Sequence, residues 1–292
     1  MKITILKMSN LSNFVVLILT HKRPDNVITY KKLREGGYTG NIILVIDDED
    51  TQADKYYKNY PNEVVMFNKK EIADQTDEGD NFNKRQTITH ARNVAFEIAK
   101  EKGYKYFIQL DDDYMSIAYK FDSNLNFRHN KIKNLDKVFE AMVDFLKKTK
   151  AKSVAMAQGG DFIGGKKGGL ARNLNLKRKC MNTFVCDVDN LIKFIGRLNE
   201  DVCTYVTYGS RGDLFFTIPF FYVTPRQTQS QSGGITEAYL ESGTYVKSFY
   251  SVMFNPSCVK VSSMGDTQQR IHHKITWKNA VPMILNESFK KK

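Results

Sequence analysis

The sequence has little cysteine, no long apolar run and no acid across one 25-residue stretch, and each shortage excludes something. Its four cysteines (Cys180, Cys186, Cys203, Cys258) stand far apart with no Cys-x-x-Cys pair. That argues against a disulfide framework or a zinc knuckle and predicts reduced, mostly buried thiols. The longest apolar stretch near the N-terminus, Phe14 to Leu19, is far short of the roughly 20 residues that span a bilayer. Thr20-His21-Lys22-Arg23 follows it in place of a small-residue cleavage site, so no signal peptide is expected. These absences predict a soluble, unexported, cytoplasmic chain with no membrane partner. What is present, 41% hydrophobic and 12% aromatic residues in a chain of 292, suffices for a packed core and excludes global disorder.

The acid-free stretch runs from Phe162 to Cys186 and holds Lys166, Lys167, Arg172, Lys177, Arg178 and Lys179, a net +6. Residues 247–292 carry another +6, residues 187–246 carry −3 and residues 1–161 carry +3, within an overall +12. Segregated positive charge of this kind suits a polyanionic partner such as nucleic acid. On charge alone, a solvated basic surface that aids solubility is an equal competitor.

The first 150 residues alternate two patterns. Continuous apolar runs of strand length (Phe14 to Leu19, Asn41 to Ile46, Glu63 to Phe67, Tyr106 to Leu110, Ser153 to Ala157) predict strands buried on both faces. Between them lie helical patterns over Pro24 to Arg34, Thr87 to Lys100 and Leu135 to Lys148. Strand-helix alternation predicts an α/β fold with a mostly parallel, Rossmann-like sheet flanked by helices, whose ligand sites lie at the carboxyl ends of the strands. A glycine-rich loop follows from Gln158 to Gly169, then a short helix near Asn190 to Ile195, an aromatic strand around Leu214 to Val223 and a polar loop from Thr224. With no repeat and no long linker, one domain over 1–292 with a decorated C-terminal half is expected.

The sharpest local signal is Asp111-Asp112-Asp113, directly after an apolar strand. Three neighbouring carboxylates repel and must be solvated or neutralised. An oxygen-seeking divalent cation, Mg²⁺ or Mn²⁺, neutralises them and leaves positions open for phosphate oxygens; an acidic strand-end turn is the plainer alternative. Strand one ends in Thr20 to Pro24, where Arg23 and a following helix N-terminus could meet a phosphate. Strand two ends in Asp47-Asp48, placed to accept hydrogen bonds from a ribose or base. Three polar strand ends on one edge of a parallel sheet point to a nucleotide site.

In order, Leu19-Thr20-His21-Lys22-Arg23-Pro24, Val45-Ile46-Asp47-Asp48, Thr89-His90-Ala91-Arg92-Asn93 and Leu110-Asp111-Asp112-Asp113 resemble the nucleotide-sugar half of GT-A fold glycosyltransferases. The resemblance covers about residues 14–114 and leaves about 150–292 as the acceptor half. It implies Thr20 and Arg23 on the nucleotide, Asp47 and Asp48 on base or ribose, Arg92 and Asp112 on the donor, and Asp111 with Asp113 as the D-x-D positions on the metal. Asn199-Glu200-Asp201-Val202 resembles the family's x-E-D element, whose acid is the general base on the acceptor hydroxyl; Glu200 and Asp201 are then the catalytic pair. A helix start with Asn before two acids has the same sequence, so a purely capping role competes. Ile271-His272-His273-Lys274 resembles the late histidine that completes the metal shell. Both histidines are candidates, and if His273 shares a strand face with Ile271, His272 points the other way and is favoured.

With Gly164 to Gly169 and the ending His272-His273-Lys274-Ile275-Thr276-Trp277, the chain more narrowly resembles the TET-associated glycosyltransferases of phage genomes. That resemblance implies a nucleotide-sugar donor, UDP-linked, and hydroxymethylated pyrimidine in DNA, such as 5-hydroxymethylcytosine, as acceptor. The six cations of the acid-free stretch would then be phosphate contacts. A transferase acting on glycan or protein and a non-catalytic DNA-binding protein are the competing functions. A nucleotidyltransferase is disfavoured because Thr20 to Pro24 stands where its glycine-rich basic turn would be.

Overall fold

The computed structural model describes residues 11–159, 183–226, 240–243, 245–264 and 270–290. Lys166, Lys167, Arg172, Lys177, Arg178, Lys179 and Cys180 lie outside these. Cys186, Cys203 and Cys258 are free and buried, as their spacing predicts.

The expected α/β sheet is present and larger than the sequence suggests. Among the described residues it has nine strands: β1 (Phe14–Leu19), β2 (Asn41–Asp47), β3 (Val64–Phe67), β4 (Tyr106–Asp111), β5 (Tyr114–Phe121), β6 (Phe127–Lys131), β7 (Ser153–Gln158), β8 (Phe184–Asp187) and β9 (Phe215–Pro225). Their order is β3-β2-β1-β4-β8-β7-β9-β5-β6. β3, β2, β1 and β4 are mutually parallel, β7 and β9 are parallel, and β8 and β5 run against their neighbours. A separate antiparallel pair, β10 (Val259–Met264) and β11 (Arg270–Ile275), lies outside the large sheet.

All six residues of β1 are buried. Phe14, Val16 and Ile18 join one core and Val15, Leu17 and Leu19 the other, as period-two alternation requires. The first core is closed by α1 (Ile28–Glu35) through Leu33 and by α5 (Leu135–Thr149) through Val138, Phe139, Met142 and Leu146. The second is closed by α4 (Thr89–Glu101) through Val94, Ala95 and Ile98, and by α6 (Glu200–Ser210) through Val202, Tyr205 and Val206. The remaining α-helices among the described residues are the shorter α2 (Ala53–Asn59), α3 (Lys69–Asp74), α7 (Val246–Phe254) and α8 (Trp277–Ala280). Among the described residues no helix is long and apolar enough to cross a membrane.

Two sequence expectations are corrected. The segment after Pro24 is not yet helical, and α1 begins at Ile28. Its first turn is occupied with the acid turn: Thr29 N donates to Asp112 O (3.0 Å), Thr29 Oγ1 donates to Asp111 O (2.6 Å), and Tyr114 N donates to Thr29 Oγ1 (2.9 Å). Nor do Asn190 to Ile195 form a helix. Their backbone is held from outside, Phe194 N by Asn93 Oδ1 (2.7 Å) and Ile195 N by Thr204 Oγ1 (3.2 Å), so helical hydrogen bonds are not needed.

Phe139 is fully buried and packs its ring against Phe14 (5.3 Å between centroids) and Tyr38 (5.2 Å). Phe139→Ala is expected to cost about 3–5 kcal/mol, the range for an unfilled aromatic cavity. Urea unfolding of the two proteins measures it, and a loss under about 1 kcal/mol would mean that this core does not hold α5 to the sheet.

Candidate active site

The carboxyl ends of β1, β2 and β4 meet the N-terminal turns of α4 and α6 around a cleft of about 410 Å³. Thr20, Arg23, Asp47, Arg92, Asp111, Asp112, Asp113, Glu200 and Asp201 all line it, although they span 182 positions of the chain. Asp48 and His272 are not among the lining residues.

Arg92 is the joint between the two halves of this site. Its side chain is 1% exposed, with Nε donating to Glu200 Oε1 (2.9 Å) and Nη2 to Asp111 Oδ1 (3.1 Å). The guanidinium also lies over the rings of Phe184 (5.3 Å) and Phe194 (5.9 Å). Burial by itself pulls its pKa down, but Asp111 and Glu200 more than offset that and raise it. Nη1 is buried with no hydrogen-bond partner among the described residues.

The three aspartates divide into different roles. Asp112 is nearly buried, and its carboxylate accepts from Thr20 Oγ1 (2.7 Å) and Arg23 Nη1 (2.9 Å). It therefore ties the end of β4 to the turn after β1. Asp111 takes the Arg92 contact. Asp113 is pushed up to about 7, first by burial and then by the charges of Asp111 and Asp112.

At the other end of the cleft, Asp47 binds His21 Nδ1 (2.7 Å) and Lys69 Nζ (3.2 Å). Burial would raise the Asp47 carboxyl, yet His21 and Lys69 hold it below its usual value. Leu19, Val45, Phe67, Ile88 and Ala91 form an apolar wall beside this group. Asp48 is exposed, and its Oδ1 accepts from Lys69 N (2.9 Å) at the start of α3. Lys69 escaped the sequence analysis, although the strand-end rule applied to β1, β2 and β4 would have flagged Asn68-Lys69 after β3.

Glu200 and Asp201 also separate. Glu200 is buried on Arg92 and its carboxyl is raised, chiefly by burial. Asp201 is half-buried, and its Oδ1 accepts from Val202 N (2.8 Å). Ahead of them Asn199 adopts a left-handed conformation (φ 60°), and its Nδ2 lies 3.2 Å from His273 Nδ1. His272 turns its Nδ1 to the carbonyl of His273 (2.8 Å). It is thus His273, rather than the His272 favoured by strand alternation, that meets the segment leading into α6. Among the described residues no three His, Cys, Asp or Glu side chains are gathered as a metal centre.

The cleft thus gathers strand-end acids, a buried arginine, an apolar wall and an acidic end. The family model for TET-Associated Glycosyltransferase matches residues 14–234, and the chain belongs to that family. No curated protein matches the chain. Among solved structures it is similar to Staphylococcus aureus TarS 1–349, at 16% identity over 73% of this chain and 60% of that one, with a TM-score of 0.43. It is also similar to the mannosyltransferase PcManGT from Pyrobaculum calidifontis, in complex with GDP-Man and Mn²⁺, at 11% identity over 84% and 73% of the two chains, with a TM-score of 0.44. A mycobacterial protein is similar over 90% of this chain and 84% of its own, at 9% identity and a TM-score of 0.46. The chain thus spans less than two thirds of TarS 1–349.

Asp113 makes stability depend on pH in a defined direction. Its native carboxyl keeps a proton up to about 7, whereas the unfolded chain releases it near 3.8. Between those values the native state binds more protons, so wild type loses stability as pH rises and the loss levels off above 7. Asp113→Asn removes this contribution. Thermal melts in metal-free buffer should show the variant gaining on wild type from pH 4.5 to 8, and a difference independent of pH would contradict the placement of Asp113.

Proposed function

We propose that this glycosyltransferase moves a sugar from a UDP-linked donor to a hydroxymethylpyrimidine in DNA, 5-hydroxymethylcytosine above all. The observation that carries the donor half is the convergence on one cleft of a β2-end acid with its cations, an apolar wall and an acid turn beside a buried arginine. A nucleoside fits the Asp47 end and a diphosphate the Arg92 and Asp111–Asp113 end. The DNA acceptor rests on the family and on the segregated basic charge of the chain. In this reading about residues 14–114 serve the donor and about 150–292 the acceptor.

The donor set at the acid turn suits a hard divalent cation. Asp111 and Asp113 offer carboxylate oxygens, and the Asp113 carboxyl is raised first by burial and then by the Asp111 and Asp112 charges, which a cation would offset. Asp111 and Asp113 would hold Mn²⁺ or Mg²⁺; neither His272 nor His273, the family pattern's candidates for a further ligand, lines the cleft. When bound, such an ion supplies charge stabilisation on a diphosphate leaving group.

The protein's own residues account for the remaining chemistry. Arg92 Nη1 donates to a donor oxygen as negative charge grows there, in a site where such preorganised donors act with little reorganisation. Asp201 accepts the proton of the acceptor hydroxyl. The hydroxyl oxygen bonds to the anomeric carbon, the bond from that carbon to the diphosphate breaks, and the nucleoside diphosphate departs, so the anomeric configuration inverts. Glu200, locked on Arg92, holds the first turn of α6 in place and presents Asp201.

The deciding experiment incubates the protein with Mn²⁺, a panel of nucleotide sugars and hydroxymethylcytosine DNA, then weighs the nucleosides after digestion. A hexose mass on hydroxymethylcytosine, lost on adding EDTA, is expected. Transfer to free glycans or protein with DNA untouched would reject the acceptor. Asp201→Asn should lower kcat by about 10²- to 10⁴-fold, the usual contribution of a general base, with donor affinity retained. Wild-type turnover in that variant would remove Asp201 from the mechanism.

A further inference from the structure

Residues 1–161 are nearly neutral in sum, yet their charge is unevenly laid out. Between Asp122 and Asp136 there is no acid, and the stretch holds Arg128, His129, Lys131 and Lys133. Three of these lie on β6, the outermost strand of the large sheet, and all five β6 residues are exposed. The β5–β6 register shifts between Tyr119 and Phe121, so a single two-residue alternation does not run the length of β6. His129 Nδ1 hydrogen-bonds the Tyr222 hydroxyl, and the Phe127 ring lies 6.0 Å from Lys120 Nζ. Arg128 is 64% exposed and 3.8 Å from Asp122, a loose pair that leaves its charge open to solvent.

Cations on an edge strand commonly guard it against pairing with another chain. A guard does not account for the exposed Phe127 (45%) and Leu125 (40%) set among them. Basic side chains interleaved with an exposed ring are suited to a nucleic-acid strand, phosphates on the cations and a base or sugar on the ring. The strip is also joined to the cleft. β6 pairs with β5, which starts at Tyr114 directly after the acid turn, and Arg226 N at the end of β9 donates to Asp113 O (3.1 Å). Lys131 is paired with Ala118 and Phe127 with Phe121. At about 3.3 Å per residue, the strip lies about 17–26 Å along β5 from Asp113, several nucleotides from the reacting base.

We propose that the β6 edge, through Arg128, Lys131 and Lys133, docks the phosphate backbone of the DNA acceptor several nucleotides away from the modified base. The inference rests on the DNA-acceptor reading above and adds a contact surface to it. The test follows binding of a fluorescent hydroxymethylcytosine duplex by anisotropy across a salt series, for wild type and for Arg128→Gln/Lys131→Gln/Lys133→Gln. UDP binding, remote from these side chains, serves as the control for an intact fold. The expected result is affinity about tenfold or more weaker at low salt, with the slope of log K against log salt shallower by about two to three, since each lost phosphate contact removes about 0.9. Unchanged affinity and slope, with wild type binding DNA, would overturn the strip alone. So would a variant that self-associates yet binds DNA normally, which assigns the cations to guarding the edge. Weakened binding of heparin with DNA binding intact would assign the strip to another polyanion and overturn it too. A wild-type protein that binds no DNA would reject the acceptor reading and the strip together.

Discussion

One buried guanidinium holds the site together. Arg92 spans from the end of β4 to the start of α6, joining Asp111 to Glu200, two acids 89 positions apart in sequence. Burial raises the Glu200 carboxyl and Arg92 opposes that rise, while the buried guanidinium would not remain there without its two acids. Aromatic rings of Phe184 and Phe194 close over the group and exclude water that would weaken each contact. The donor-binding sheet and the helix that carries the proposed base thus share one electrostatic knot.

That knot explains why two adjacent acids of α6 have unlike environments. Glu200 spends its carboxylate on Arg92 and is removed from solvent, whereas Asp201, one residue on, stays half-buried at the cleft. Neighbouring residues on a helix point about 100° apart, so fixing one inward fixes the direction of the other. A mechanism that needs a positioned base and a permanent salt bridge obtains both from one Glu-Asp dipeptide.

Much of this was legible in the sequence, for physical reasons that differ by element. Strands β1, β2, β4 and β7 are apolar runs because both of their faces are covered, and such runs are visible without a partner. Strands β5, β6 and β8 were missed. β6 is exposed along its whole length and carries no apolar run, while β8 has four residues and is specified by the β4 and β7 it slots between. In the cleft, acids and cations at strand ends announced themselves. Lys247 did not, because what brings it there is the folding of a distant segment. The histidine pair shows the same boundary: alternation on β11 is real, but which side faces α6 depends on how the small sheet packs.

Thr29 shows what this architecture implies for binding. Its backbone N–H donates to Asp112 O, and its hydroxyl donates to Asp111 O and accepts from Tyr114 N, so the start of α1 and the acid turn are tied into one buried piece. A turn built this way has already surrendered its conformational freedom during folding. Ligand association then need not fund the ordering of those carboxylates, and free energy gained at the acidic end is retained as affinity rather than consumed in organising the loop.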